Sequence, residues 1–303
     1  MEKISLDAND GSNLHFYLSR SLKVNCLGLI QISHGMAEHK DRYSEFTKFF
    51  NDHGYHVAIH DHRGHGTRIL DKKIGHFSDK GGWNKVVNDL LIIQKELIKI
   101  FPSTPLILLG HSMGSWIALS ALQKNTNYNA ALISGSSYPN ALETSFQKIL
   151  LSIETLRLGS SGYSKVIHEL IFGGFNSQFK DTATSNDWLS RDATSVKNYT
   201  DDPLCGFIVS NQLWSDVIHG IQEVFSKENL LHISQQTPIL IFSGTHDPVG
   251  GMGKNVKKLK ECFDENNLKS ELYMVDGARH ETLNEIDRMT SYNHILDFLK
   301  KYL

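Results

Sequence analysis

The sequence predicts an α/β fold with a mostly parallel central sheet, flanking helices and an inserted helical cap. Over most of the 303 residues, short apolar segments alternate with longer segments whose apolar residues recur at helical spacing. Nearly continuous apolar strands are typical of a sheet that helices cover on both faces. Their alternation with helices predicts right-handed crossovers between parallel strands. Between about residues 137 and 212 the alternation stops, which indicates an insertion.

The first part of the chain supplies six predicted strands. Residues 2–7 and 13–19 alternate loosely between polar and apolar around a turn at Asp10-Gly11, which predicts an antiparallel hairpin. Buried strands are then predicted at residues 26–32, 55–59, 105–109 and 130–135. Helices are predicted between them at residues 43–50, at residues 86–100 and directly after Ser112.

The remaining part of the chain completes the sheet. Strands are predicted at residues 239–242 and 272–275, and helices at residues 254–262 and 292–303. Within the insertion, clusters of Gly, Ser, Asn and Asp separate helical fragments at residues 146–156 and 164–172. We therefore predict a core of residues 1–136 and 213–303 and a cap of residues 137–212.

Composition narrows the possible partners and compartments. Lys and Arg number 31 and Asp and Glu number 33, so bulk charge favours neither nucleic acid nor an anionic membrane as a partner. The sparse cysteines, Cys26, Cys205 and Cys262, predict free thiols in a reducing compartment. No signal-peptide pattern is present, and no apolar run approaches the roughly 20 residues of a membrane span. These features predict a cytoplasmic protein without a transmembrane segment.

The segment around Ser112 has the pattern of a nucleophile turn. An apolar strand is followed by Gly-His-Ser-Met-Gly at residues 110–114 and then by an apolar helix. Small residues on both sides of Ser112 allow the backbone to turn sharply from strand to helix, so that the hydroxyl stands free at the strand end. We therefore predict that Ser112 is the nucleophile of an acyl-transfer reaction.

Loops after two later strands supply a matching acid and base. Asp247 follows the strand at residues 239–242, and His280 follows the strand at residues 272–275. In open α/β sheets, functional residues lie just beyond the carboxyl ends of the strands. The chain order Ser, Asp, His is that of α/β-hydrolases. His280 would accept the Ser112 proton, while Asp247 would fix the tautomer of His280.

The oxyanion that forms on attack needs two backbone N–H donors. Met113, at the helix N-terminus, supplies the first, and Met36 supplies the second from the loop after the strand at residues 26–32. The residues predicted to support this arrangement are His34, Gly35, Gly110, His111 and Gly114.

With these residues in place, the sequence resembles the monoacylglycerol lipase and lysophospholipase-like branch of the α/β-hydrolases, also grouped with serine aminopeptidase-like hydrolases. The matching blocks are residues 34–39 with Arg42-Tyr43, 61–66, 110–114, 243–247 and 277–281 with Asn284-Glu285, and in the cap 189–192 and 202–204. The resemblance implies an α/β-hydrolase fold, a triad of Ser112, Asp247 and His280, and an oxyanion hole at Met36 and Met113. It also implies small esters with one long acyl chain as substrates.

Two positions depart from the family pattern. Ser115 stands where a further Gly is usual, and Thr67-Arg68 stands where Ser and Gly are usual. We expect the first departure to affect helix packing and the second to lie in a surface loop.

A metal site is one alternative. The run from His60 to His65 resembles the His-x-His-x-Asp-His ligands of metallo-hydrolases, but Gly64 stands where the Asp is needed. We therefore predict a buried, hydrogen-bonding loop and neither a metal nor another cofactor. A non-catalytic binding protein on the same fold would usually lack an intact triad.

The substrate stays open between lipid monoesters, short-chain esters and aminopeptidase-like substrates. A free amine would need carboxylates such as Asp201 and Asp202, which are also typical of a turn before Pro203. Apolar cap residues could line an acyl site or pack the cap onto the core; they are Ile149, Leu150, Leu151, Ile153, Leu156, Ile167, Leu170, Ile171 and Phe172. A transient contact with a lipid surface fits this composition, whereas the oligomeric state is left open.

Overall fold

A computed structural model describes residues 1–69, 73–124 and 126–303 of the chain. Within these ranges the strands form an eight-stranded sheet in the order β1-β2-β4-β3-β5-β6-β7-β8. The strands are β1 Glu2–Asp7, β2 Asn13–Ser19, β3 Gly28–Ser33, β4 Tyr55–Ile59, β5 Leu106–His111, β6 Ala130–Ser134, β7 Ile239–Gly244 and β8 Ser270–Val275. Strand β2 pairs antiparallel with β1 and β4, and every other neighbouring pair is parallel. The predicted fold class is confirmed.

Helices lie on both faces of this sheet. They are α1 Ser44–Asp52, α2 Gly82–Ile100, α3 Met113–Leu122, α4 Ala141–Leu158, α5 Lys165–His168, α6 Gly174–Asn176, α7 Ala193–Asp201, α8 Asn211–Val224, α9 Lys227–Leu230, α10 Lys254–Glu265 and α11 Arg288–Tyr302. Short 3₁₀ helices cover Lys40–Tyr43, Gly66–Arg68 and Asp187–Leu189. In the described part of the chain, no helix combines the length and apolar character that crossing a bilayer requires.

The continuous apolar strands result from burial on both faces. Along β5, Leu106 and Leu108 join the core packed against α2, α3, α8 and α10, while Ile107 and Leu109 join the core against α1 and α11. Alternate side chains of a strand point to opposite faces, so both sets must be apolar. Because β3 to β8 pair in parallel, their carboxyl ends meet at one edge of the sheet.

The segment between β6 and β7 carries α4 to α9. Helix α4 is longer than the predicted fragment at residues 146–156, and the fragment at 164–172 is divided into α5 and a π-helical turn at Glu169–Gly173. Helix α8 joins the main core through Leu213 and Val217. The division into a core and a cap of residues 137–212 stays a prediction.

The expectation of a surface loop at Thr67-Arg68 was wrong for Arg68. Its side chain is only 1% exposed, because the buried carboxylate of Asp89 on α2 accepts a hydrogen bond from it at 2.8 Å. Arg63 donates to the same carboxylate at 2.8 and 2.9 Å and also to Asp10 at 2.7 Å. Two guanidinium groups therefore tie the loop after β4 to α2.

We expect Asp89→Asn to destabilise the fold by about 3–5 kcal/mol, because it leaves two buried guanidinium groups without their shared carboxylate. Guanidinium chloride unfolding followed by circular dichroism measures this change. Asp52→Asn is the matched control, since Asp52 pairs with Lys48 at the surface and its loss should leave the midpoint unchanged. Equal midpoints for both variants would contradict the role of Asp89.

Candidate active site

Ser112 forms the junction between β5 and α3. Its φ of 52° and ψ of −124° place a non-glycine residue in a sparsely populated conformation, at a cost of about 1–3 kcal/mol. The Ser112 N–H donates to Ser134 O on β6 at 2.9 Å. Its carbonyl accepts from the N–H of Ser115 at 2.8 Å and from the hydroxyl of Ser115 at 2.6 Å. The sequence departure at Ser115 thus stabilises the turn itself.

The glycines on either side allow very close backbone packing. A Cβ at Gly114 would lie 2.1 Å from Ser33 O and 2.3 Å from His34 O. A Cβ at Gly110 would lie 2.5 Å from Gly114 O. The start of α3 therefore rests directly on the backbone that follows β3, which only glycine permits.

Asp247 and His280 form a buried hydrogen-bonded pair at the neighbouring strand ends. His280 Nδ1 lies 3.0 Å from Asp247 Oδ1, and both side chains are almost fully buried. The Ser243 hydroxyl donates to Asp247 Oδ2 at 2.6 Å, and the Val249 N–H donates to Oδ1 at 2.9 Å. The carboxylate is therefore fixed by three donors.

The pKa values of His280 and Asp247 shift in the directions that this pairing requires. Burial alone would lower the pKa of His280, but the charge and hydrogen bond of Asp247 raise it above its ordinary value of 6.5. Burial alone would raise the pKa of Asp247, but His280 and Ser243 lower it below its ordinary value. Because Asp247 is ionised, His280 carries its proton on Nδ1, which leaves the lone pair on Nε2.

Ser112 lies on the strand end beside this pair. The ring of His111 lies 4.9 Å from that of His280, and a Cβ at Gly135 would be 2.9 Å from His280 Cε1. In the described part of the chain, the Ser112 hydroxyl makes no hydrogen bond.

The loop of residues 34–38, called the 34–38 loop, packs against Ser112. His34 Nε2 accepts from the His62 N–H at 3.0 Å, so Nδ1 carries the proton and donates to Gly35 O at 2.8 Å. Because the Gly35 carbonyl and the Met36 N–H share one trans peptide, fixing the carbonyl fixes the opposite direction of the N–H. A Cβ at Gly35 would lie 3.2 Å from Ser112 Cβ. His34 and Gly35 therefore orient the predicted donor Met36.

Glu38, Arg42 and Glu281 lie within the motif blocks but have no role predicted from the sequence. Glu38 accepts from the Gly35 N–H at 2.5 Å and from Arg42 at 2.7 Å. Arg42 also donates two hydrogen bonds of 2.6 Å to Glu281, the residue after His280. Burial alone would raise the pKa of Glu38, but Arg42 lowers it to about 2. This buried ion chain connects the 34–38 loop to the loop of His280.

Aromatic side chains pack beside the imidazole of His280. The ring of Trp188 lies 5.2 Å from that of His280, and Phe172 and Phe175 pack against Trp188 at 5.8 and 5.1 Å. The sequence contains no local signal for this contact, because residues 172–188 and 280 are far apart in the chain.

The histidines between His60 and His65 are buried, as predicted. Both ring nitrogens of His60 lack hydrogen-bond partners in the described structure, and burial holds its pKa well below 6.5. The described chain does bring three metal-ligand types together elsewhere, at His39, Asp202 and Cys205.

The fold, the strained serine turn and the Asp–His pair at adjacent strand ends define an α/β-hydrolase with a serine-type site. The family model described as "Serine aminopeptidase, S33" matches residues 25–287. The chain belongs to that family, and the protein is a serine ester hydrolase.

Individual relatives agree with this assignment. The chain is 32% identical over 267 residues to the monoglyceride lipase of Homo sapiens, covering 87% of this chain and 78% of that one. It is 25% identical over 280 residues to a probable lysophospholipase L2 of Haemophilus influenzae, covering 89% and 83%. The structure of a thermostable carboxyl esterase from Bacillus coagulans shares the fold with a TM-score of 0.89, at 24% identity, over 99% and 98% of the two chains.

We expect Asp247→Asn to lower kcat by about 10⁴, because the amide cannot hold His280 in the required tautomer or stabilise its charged form. Steady-state kinetics on a soluble ester measures this loss. Asp276→Asn is the control, since Asp276 lies exposed on the neighbouring loop and should be neutral. Near-normal turnover of Asp247→Asn would mean that another carboxylate serves His280.

The pH dependence of the reaction follows from the raised pKa of His280. Only the neutral imidazole accepts a proton from serine, so kcat/KM should fall as pH decreases through a midpoint above 6.5. A pH–rate profile on an uncharged ester gives this midpoint. A midpoint below 6.5 would show that Asp247 does not stabilise the imidazolium.

Proposed function

We propose that the protein hydrolyses lipid monoesters, namely monoacylglycerols or lysophospholipids, through an acyl-enzyme on Ser112. The observation that carries the lipid assignment is an exposed apolar stripe on α4. Its residues recur at intervals of four and three, which places them on one helix face; they are Leu142, Phe146, Ile149, Ile153 and Leu156. Each is more than half exposed. The names of the relatives, monoglyceride lipase and lysophospholipase, support the same substrate class.

The stripe does not pack the cap onto the core, which is one of the two roles predicted for the apolar cap residues. Ile149, Ile153 and Leu156 are exposed, whereas Leu151 and Ile167 are buried. An apolar helix face in water is costly, and a lipid surface removes that cost. We therefore infer that α4 contacts micelles or bilayers transiently, which brings the site to an insoluble substrate.

The proposed reaction uses the geometry around Ser112 in two steps. Ser112 Oγ attacks the ester carbonyl carbon while His280 Nε2 takes the hydroxyl proton, and Asp247 stabilises the imidazolium. The N–H groups of Met36 and Met113 bind the oxyanion. His280 then protonates the departing alcohol oxygen, which leaves an acyl-serine. His280 Nε2 then takes a proton from a water molecule whose oxygen attacks the acyl carbon. The bond to Ser112 Oγ breaks, and Oγ takes the proton back from His280, which releases the fatty acid and restores Ser112.

Aminopeptidase-like hydrolysis is the competing assignment, and the carboxylates it would use are engaged. Asp202 accepts hydrogen bonds from His39 at 2.8 Å and from the Leu204 N–H at 2.8 Å. Asp201 is exposed on α7 and pairs with Lys197. A substrate amine would have to displace His39 from Asp202 or Lys197 from Asp201, which favours ester substrates.

A comparison of four substrates tests the proposal. We expect cleavage of a medium- or long-chain monoacylglycerol or a lysophospholipid at least 10-fold faster, by kcat/KM, than cleavage of an acetyl ester or an aminoacyl anilide. The reason is that apolar burial adds about 0.8 kcal/mol for each CH₂ group. Faster cleavage of the anilide would overturn the lipid assignment, and a preference for the acetyl ester would indicate a short-chain esterase.

The α4 stripe gives a separate prediction. We expect the double variant Ile149→Ser/Ile153→Ser to lose at least fivefold activity on long-chain monoesters in neutral mixed micelles, and to keep its rate on a soluble short ester. Lys148→Ser, on the exposed surface of the same helix, is the control and should behave as the parent protein. Equal losses on both substrates would show that the two residues affect folding or catalysis itself and not contact with the lipid surface.

A further inference from the structure

A polar cleft beside the 34–38 loop contains three side chains that the proposed mechanism does not use. His39, Asp202 and Cys205 line this cleft of about 470 Å³. One ligand atom from each lies within 4.8 Å of the other two. His39 comes from the start of the 3₁₀ helix after β3, whereas Asp202 and Cys205 come from the segment between α7 and α8. The three donors therefore meet only in the folded chain.

The donor set is typical of zinc. Imidazole nitrogen, thiolate sulfur and carboxylate oxygen bind Zn²⁺ at about 2.0–2.3 Å, which places tetrahedral ligand atoms roughly 3.3–3.8 Å apart. His39 Nε2 and Asp202 Oδ2 are already 2.8 Å apart, so their separation must widen slightly. The Cys205 ligand atom lies within 4.8 Å of both, so a shift of no more than about 1–1.5 Å gives the same spacing. The open cleft leaves room for water as a fourth ligand.

The ring proton of His39 can move from Nε2 to Nδ1 when a cation binds, so it needs no acceptor outside the ring. Without metal, the Asp41 N–H points at His39 Nδ1 at 3.4 Å, and Nε2–H donates to Asp202. When a cation takes Nε2, the ring proton moves to Nδ1, which gives up the hydrogen bond that it accepts from the Asp41 N–H and faces Asp41 Oδ2 at 3.6 Å instead. A carboxylate behind the ligating imidazole is common in zinc sites. The Cys205 thiol then releases one proton to solvent for each ion bound.

We propose that His39, Asp202 and Cys205 bind one Zn²⁺ ion, or a similar borderline-soft divalent cation, as a reversible inhibitory site. The ion's two charges are balanced by one carboxylate and one thiolate. The nearby Arg42 does not oppose binding strongly, because Glu38 and Glu281 neutralise its guanidinium group.

The position of the site explains how a bound cation inhibits ester hydrolysis. Gly206 donates its N–H to Ala37 O at 2.9 Å, and Ala37 has a φ of 53°. His39 directly follows Glu38, which holds the Gly35 N–H. Contraction around an ion pulls His39 and the segment of Gly206 together and so shifts the 34–38 loop. The inhibitory effect rests on the proposed oxyanion role of Met36, whereas metal binding itself does not.

Cadmium titration tests the binding directly. A Cd²⁺–thiolate bond gives an ultraviolet charge-transfer band, which we expect at one equivalent per chain in the parent protein. Cys26→Ser and Cys262→Ser should keep the band, whereas Cys205→Ser should abolish it. Persistence of the band in Cys205→Ser, or its absence from the parent protein, would overturn the proposal. This readout needs no substrate, so it decides the site even if the proposed function fails.

Inhibition is tested on a soluble short ester. Zn²⁺ should lower kcat with little change in KM, and EDTA should restore the rate. Cys205→Ser and Asp202→Asn should each need at least 10-fold more Zn²⁺ for the same inhibition. Should either variant unfold, His39→Gln replaces it in the same titration. Unchanged zinc sensitivity in folded variants would place the inhibitory ion elsewhere, for example on His280.

Discussion

The backbone conformation of Ser112 is the constraint on which the rest of the site depends. A positive φ at a non-glycine residue is unfavourable, and here it is maintained by hydrogen bonds on both sides of the turn. The turn brings the N-terminus of α3 onto the carbonyl groups of Ser33 and His34. One geometric requirement therefore explains the serine, the two flanking glycines and the position of the 34–38 loop.

Electrostatics then connect the two loops that must act together. Glu38, Arg42 and Glu281 form a buried chain of charged hydrogen bonds that runs from the Gly35 N–H to the residue after His280. Buried ion pairs are costly to break, because the remaining charge is left unsolvated. Arg42 also lines the cleft of His39, Asp202 and Cys205, so a cation there would bind next to the residues that hold the 34–38 loop.

Much of the fold was predictable because the signals are local. The alternation of apolar strands and helices predicted the strands and their succession along the chain, although not their spatial order in the sheet. The strand ends indicated Ser112, Asp247 and His280. The Asp247–His280 contact is present, although the catalytic roles remain a proposal. The burial of Arg68 was missed, since it depends on Asp89 from a distant helix.

The exposure of the α4 stripe was missed for a related reason: a helix pattern shows which residues share a face but not what covers that face. The contacts of Trp188 with His280 and of His39 with Asp202 join segments more than 90 residues apart, where a single sequence carries no pairing signal.

The central claim is that the strained Ser112 carries the acyl group, and covalent labelling tests it most directly. A serine-reactive phosphonate ester, followed by peptide mass spectrometry, reports which hydroxyl reacts. The account predicts one adduct per chain on the peptide that contains Ser112 and no adduct on folded Ser112→Ala. An adduct on another residue, or labelling that persists in Ser112→Ala, would contradict it.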